Sequence, residues 1–407
     1  MSVTVPGPRR AALAFIFVTV VLDMLALGMI VPVLPKLIVQ FEGGDTANAA
    51  RIYGVFGTVW ALMQLVSQPV LGALSDRYGR RPVLLLSTFG LGLDYFLMAW
   101  APSLAWLFVG RVISGITAAT FSTASAYIAD VTPPEKRAGA YGLLGAAFGI
   151  GFVLGPAFGG VLGNTDPRLP FWVAGGFSLL NVLYGVFVLP ESLPHERRSA
   201  FEWRRANPLG SLRLLRSHRE IFGLAGANFL GFIAHEVLPS VFVLYTSYRY
   251  GWDNRTVGLF LAGVGVSGMI VSGWLIRTIL ARLGERGTLL TGLALGTAGF
   301  AVYGLAPTSA FVWLGVPLQA MWGISNPASM AIMTRRVPPT EQGQLQGANG
   351  SLRGVAGLIG PLLFTQTFSA AISPRTTFHL PGAPLVLAAA LLAGALGLAW
   401  RATAARA

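Results

Sequence analysis

Cysteine is absent from the 407 residues, which removes disulfides and thiolate metal ligands and leaves the redox compartment unmarked. Charge is scarce as well. Asp, Glu, Lys and Arg make up 11% of the chain, under half of the roughly 25% usual in a soluble domain. So little charge cannot cover a solvated globular surface. The four histidines have no metal-ligand spacing, no phosphate-binding P-loop occurs, and no Ser/His/Asp set assembles across such short polar connections. The sequence therefore points away from an enzyme, from ATP-driven work and from a resident cofactor. What fills the chain is apolar: 54% hydrophobic residues and a mean hydropathy of +0.64. Its 25 Phe, 10 Trp and 10 Tyr exclude a disordered polymer too. The length divides naturally into membrane crossings of about 20 residues each.

Apolar runs of that length fall at about 11–33, 52–74, 82–100, 104–129, 139–162 and 170–189. A second set falls at about 221–246, 256–276, 288–305, 309–333, 345–369 and 384–400. The expected fold is an all-α polytopic membrane protein with twelve transmembrane helices in two six-helix bundles. The expected domains are 1–190, a polar linker over 191–219, and 220–407. Arg9 and Arg10 ahead of the first run resemble a secretory signal, but no small-residue cleavage site follows. Asp23, Pro32 and Pro35 come instead, so the run is read as the first membrane helix.

The net charge of +13 is a topology signal once its members are placed. The termini, the linker and every second connection hold 21 of the 29 Lys and Arg, and the opposite connections hold six. Arg111 and Arg353 remain inside apolar runs. This asymmetry places both termini in the cytoplasm and makes nucleic acid an unneeded partner. An internal repeat supports the division in two. Val131-Thr-Pro-Pro-Glu135 recurs as Val337-Pro-Pro-Thr-Glu341, and Gly155-Pro156 as Gly360-Pro361, offset by 205 to 206 residues. Paired six-helix bundles build many secondary transporters, with a substrate site near the bilayer midplane.

Gly72-Ala-Leu-Ser-Asp76-Arg77-Tyr-Gly79-Arg80-Arg81-Pro82 forms a tight connection between the second and third runs. It resembles the signature loop of the major facilitator superfamily. That resemblance implies a gating latch built on Asp76, Arg77, Gly79, Arg80 and Arg81; positive-inside bias alone would explain the arginines. The second half keeps Gly284-Glu285-Arg286 but lacks the Asp. In the fifth run, glycines 145, 149, 151, 155 and 159 surround Pro156. Close helix packing explains such stripes, and the run also resembles the antiporter motif of drug:proton exporters.

The resemblance narrows to the tetracycline efflux antiporters. Its residues are Leu22-Asp23-Met24, Gly28 to Pro35, Ala61-Leu-Met-Gln64, Leu93-Asp94-Tyr95, Gly110-Arg111 to Thr117, and Ile128-Ala-Asp130. The second half matches more thinly, through Gln342-Gly-Gln-Leu-Gln346-Gly347 and Ile359 to Phe364. What this implies is a proton-coupled exporter of amphiphilic drugs, tetracyclines first, working as a monomer among lipids of a bacterial inner membrane. The proton would be the coupling ion, with a divalent metal entering only as part of a drug complex. Asp130, Gly155 and Pro156 join the loop as gating residues. The alternative is a carrier for uptake or exchange of a sugar or another small metabolite.

A charge at mid-helix costs roughly 2.5–3.5 kcal/mol on insertion scales, so its retention needs a reason. Asp23 lies midway along the first run and is a candidate reversible proton carrier. Asp94 and Arg111 admit two roles, a structural ion pair or part of the proton path. In the seventh run His235 and Glu236 are candidates for coupling, with His235 equally suited to packing. Helical neighbours point about 100° apart, so both are not expected to face a cavity squarely. Gln64, Asn228, Gln319, Asn326 and Arg353 are candidate substrate-cavity residues. Pro239, Pro317 and Pro327 offer bends for gating or tolerated kinks. One departure stands out. The well-known tetracycline pumps carry a carboxylate in the ninth helix and, in some members, a His in the eighth. Gly296 and Gly268 occupy those places here.

Overall fold

The computed structural model describes residues 8–118, 120–133, 136–198, 214, 219–338, 341–374 and 379–404. Among them no strand occurs, and helices follow one another with short connections. The first half contains Pro8–Ile30 with Leu34–Phe41, Thr46–Tyr78, Arg80–Trp100, Leu104–Thr117 with Thr120–Val131, Arg137–Thr165 and Leu169–Val188. The second half contains Arg219–His235 with Val237–Tyr250, Asn254–Ile270, Ile276–Leu305, Ser309–Trp322 with Ser325–Arg335, Gln342–Ile372 and Ala383–Ala404.

Ten stretches are long and apolar enough to cross a membrane by length and composition. One of these, Asn254–Leu305, runs for 52 residues, enough for two crossings at 1.5 Å per residue. Gly284 divides it, with a φ of 64° and ψ of 179° that an L side chain resists. Each of the twelve apolar runs in the sequence coincides with a helical segment. The all-α polytopic fold is as expected. Leu86, Trp100, Trp274 and Phe187 point outward at 70, 79, 74 and 83% exposure, a perimeter that hydrocarbon accepts and water does not. The linker expected over 191–219 lies largely outside the described residues.

Three of the breaks within segments trace to proline. Proline has no N–H to donate to the carbonyl four residues earlier, and its ring crowds that carbonyl. In the first segment Pro35 follows Val31 by four, and the helix stops at Ile30 before resuming at Leu34. In the tenth, Pro327 follows Gly323 by four, and the break falls at Gly323 and Ile324. In the seventh, Pro239 follows His235 by four, and the break falls at Glu236. Pro317, by contrast, sits inside the helix Ser309–Trp322 without ending it.

Two compact units emerge from the packing. One comprises Met1–Leu34, Val59–Asn207 and Asn254–Ala262; the other comprises Pro35–Thr58, Pro208–Asp253 and Gly263–Ala407. In the first unit, Pro8–Ile30 packs on Arg137–Thr165, and Arg80–Trp100 packs on Leu169–Val188. Residues 254–262 belong with it because Gly258 lies against Gly160 and the Asn254 amide donates to the Gly163 carbonyl at 2.6 Å. In the second unit, Ala383–Ala404 packs on both Arg219–His235 and Ile276–Leu305. Residues 35–58 belong with that unit. Arg51 Nε donates to Ser369 Oγ and Tyr53 Oη to the Pro239 carbonyl, both at 2.9 Å, while Gly57 lies against Pro361.

Candidate functional site

The second unit holds a partly open cavity of about 370 Å³. Five residues singled out from the sequence line it: Asn228, His235, Glu236, Asn326 and Arg353. Both His235 and Glu236 contribute to its lining, from a tight turn in which the Glu236 N–H bonds to the Ile233 carbonyl at 3.0 Å. Gly360 then leaves room for Glu236, since a Cβ there would come within 2.5 Å of Glu236 Cγ. The break beneath Pro327 similarly places Trp322, Ser325 and Asn326 in the wall. His235 stacks obliquely on Trp322, ring centroids 6.0 Å apart, and the Arg353 guanidinium lies 4.8 Å from the Phe232 ring centroid. Asn228 is held by Asn349 Oδ1 at 3.3 Å, a partner the sequence reading missed. Gln319 is buried beside Gly299 and does not line this cavity.

Replacing Pro239 by Ala should have effects of opposite sign on stability and transport. It restores the missing hydrogen bond to the His235 carbonyl and favours a continuous helix, which shifts His235 and Glu236 in the cavity wall. Thermal unfolding of the purified protein should shift upward while efflux falls. Unchanged efflux would show that the break does not position the pair.

The absence of a ninth-segment carboxylate has a steric counterpart. At Gly296 a Cβ would come within 2.8 Å of Trp322 Cβ and Cγ and 3.0 Å of Leu392 Cδ1. Trp322 therefore occupies the space that a side chain at 296 would need. Gly268 faces open space.

The first unit holds a second cluster. Asp23 is 5% exposed and Asp94 1%, and Asp23 Oδ1 and both Asp94 carboxylate oxygens have no hydrogen-bond partner among the described residues. Thr120 lies beside Asp23, and Tyr95 is within electrostatic reach of Asp23, Asp94 and Arg111 together. Tyr95, read from the sequence only as part of a motif, is buried beside this group. Arg111 donates to Ser114 Oγ at 3.1 Å and lies 5.6 Å from the Trp60 ring centroid. Gly110 gives Asp94 its space, since a Cβ there would sit 2.9 Å from Asp94 Oδ1. Gln64 accepts a hydrogen bond from Gln68 at 3.0 Å, one helical turn along the second segment.

The signature loop forms a connected network. Arg80 pairs with Asp76 at 2.5 Å and with Asp130 at 3.0 Å, and donates to Ser75 Oγ at 2.6 Å. Arg81 donates to the Val186 carbonyl at 2.6 Å, and Arg77 stacks on Tyr78, 5.1 Å from its ring centroid. Gly79 takes a φ of 107°, which favours glycine. Glu191 completes the network. Its carboxylate accepts from the backbone N–H of Arg80 at 2.8 Å and of Arg81 at 3.2 Å, capping the positive end of the third helix. The second unit has a counterpart of reversed polarity. Glu285 pairs with Arg335 at 2.8 Å after Gly284, and both partners lie 205 residues beyond Arg80 and Asp130. The Asp missing from the second-half loop is thus replaced by an acid at the position of Arg80.

The fifth segment packs through only part of its glycine run. Gly151 lies against Met24, Gly155 against Gly28, and Gly159 against Met29, whereas Gly145 meets open space. Pro156 Cδ reaches the place where Gly28 has no Cβ. Among the described residues no group of three or more His, Asp and Glu comes together as a metal site.

Comparison with known proteins agrees with this architecture. A model of the Major Facilitator Superfamily matches residues 16–361 and, overlapping, 279–404. The class C tetracycline resistance protein of Escherichia coli is 38% identical over 365 residues, 89% of this chain and 91% of that one. The human hippocampus abundant transcript 1 protein is 30% identical over 353 residues, 85% of this chain and 71% of that one. Among solved structures, the human organic anion transporter MFSD10 (TETRAN) aligns over 96% of this chain and 99% of that one, with a TM-score of 0.70 and 25% identity. The chain belongs to the major facilitator superfamily, in the group that includes the tetracycline resistance proteins.

Proposed function

We propose that the protein is a proton-coupled antiporter that exports amphiphilic drugs, tetracyclines first, from the cytoplasm by alternating access. The observation that carries this reading is the pair of membrane-embedded ionisable clusters, Asp23, Asp94 and Arg111 in one unit and His235, Glu236 and Arg353 in the other. A passive carrier of neutral solutes has no need of such polarity. Tetracycline resistance proteins match nine-tenths of the chain, which favours drug over sugar or metabolite. In this reading the bundles 1–190 and 220–407 rock against each other, and protonation of a buried carboxyl from outside is exchanged for drug loaded inside. The arginine asymmetry supports a bacterial inner-membrane protein with both termini cytoplasmic. No cofactor beyond the proton is required, a divalent metal would enter with its drug, and a monomer suffices.

Inside-out vesicles containing the protein provide the test. Adding tetracycline to vesicles with an established pH gradient should dissipate that gradient in proportion to protein content. If no tetracycline or related drug dissipates it while a sugar or metabolite does, the export reading fails in favour of a metabolite carrier.

A further inference from the structure

We propose that the cavity of the second unit is a binding site for amphiphiles that carry an anionic and a cationic centre at once, Arg353 taking the anion and Glu236 the cation. This deepens the export reading and rests on it for the direction of transport. The two side chains come from different segments, the eleventh and the seventh, and each lies within electrostatic reach of the other. Among the described residues no direct ion pair joins them. Two groups of opposite charge that line one cavity without forming a direct ion pair are an unusual arrangement, since a low-dielectric surrounding drives them together.

The rest of the wall explains what belongs between them. Phe232, Trp322, Leu289 and Leu293 supply apolar surface, and Asn228 and Asn326 add neutral amides. A volume of about 370 Å³ falls in the range, roughly 300–1,000 Å³, of pockets that take small organic ligands. A ligand with one charge would satisfy one side chain and leave its opposite unpaired in the same cavity. A zwitterion satisfies both. The Arg353 guanidinium, 4.8 Å from the Phe232 ring centroid, is suited to take a carboxylate or enolate through charge-assisted hydrogen bonds. Glu236 fits against Gly360, where a Cβ would collide with its side chain. When the ligand leaves, the two side chains have each other as remaining partners. Binding thus exchanges one internal attraction for two external ones, and release is assisted by the reverse.

Equilibrium dialysis of the purified full-length protein tests this with three probes. These are tetracycline in the presence of EDTA (a metal-free zwitterion), tetraphenylphosphonium as a lipophilic cation, and 2-naphthoate as an aromatic anion. E236Q should weaken tetracycline and tetraphenylphosphonium about tenfold or more and leave 2-naphthoate unchanged. R353Q should weaken tetracycline and 2-naphthoate by a similar factor and leave tetraphenylphosphonium unchanged. The probe that each variant retains is its own folding control. If a variant loses all three, E236D or R353K decides: recovered tetracycline binding supports the assignment, and no recovery overturns it. Wild-type affinity for tetracycline in both variants also overturns it. Vesicles that fail to export tetracycline while the charge pattern holds would end the export reading and leave this site standing. Export with no charge pattern would do the opposite.

Discussion

Asp23→Asn should reduce gradient-driven drug efflux to passive exchange while leaving the protein folded. The two side chains have nearly the same shape, and Asp23 Oδ1 has no hydrogen-bond partner to lose among the described residues. An amide cannot take up and release a proton in this range, so the coupling step is removed and little else. Each pH unit of gradient sustains about a tenfold drug gradient per proton exchanged, and that ratio should fall to unity in the variant. Tetracycline should no longer dissipate the vesicle pH gradient, while exchange of labelled for unlabelled drug continues. Energised efflux at the wild-type level would exclude Asp23 as carrier and pass the role to Asp94 or Glu236. Asp94→Asn is a less clean experiment. Arg111 acts electrostatically on Asp94, and its Nε has no hydrogen-bond partner among the described residues. Neutralising Asp94 removes the counter-charge of that half-buried guanidinium, so stability and transport should fall together.

The sequence carried the architecture because membrane crossings are set by length and hydropathy, properties local to each run. It also carried most of the charged site, because a charge in hydrocarbon stands out. The 3.6-residue period keeps His235 and Glu236 from both facing the cavity squarely, and both still contribute to its lining where Pro239 interrupts the helix. Tyr95, Trp60 and Asn349 were not singled out, because an aromatic or amide in an apolar run reads as packing until its neighbours are known. Glu191 was hidden for a different reason. It lies just past the sixth run, where it reads as linker, and its partners at Arg80 and Arg81 are more than 100 residues away with no periodicity to link them. The Glu285–Arg335 pair was obscured by its reversed polarity: a search for a second Asp finds none, while the repeat offset finds the pair directly. Gly145 was grouped with the packing glycines by composition. A step of six residues to Gly151 turns 600°, which puts it about 120° off the face that Gly151, Gly155 and Gly159 share.

That shared face carries the other large expected effect. Gly159→Ala should prevent the first unit from packing, seen as a large fall in thermal unfolding temperature and in the monodisperse fraction of purified protein. A Cβ at 159 would sit 2.6 Å from Met29 Cα and 2.7 Å from its carbonyl carbon. Those are backbone atoms of the first helix, so no rotamer change relieves the clash and the helices must separate. Overpacking that side chains absorb costs about 1–3 kcal/mol, and a backbone collision lies at or beyond the top of that range. Separation also reaches the mechanism. The helix Pro8–Ile30 carries Asp23 one residue before Met24, which Gly151 contacts, so displacing the helix moves the proposed proton carrier. The control is Gly145→Ala, where the new methyl meets open space and a better helix former replaces a poor one by about 1 kcal/mol. That variant should be as stable as the wild type or more so, with efflux intact. Equal losses in the two variants would show that the close approach of the first and fifth helices is not what holds this unit together.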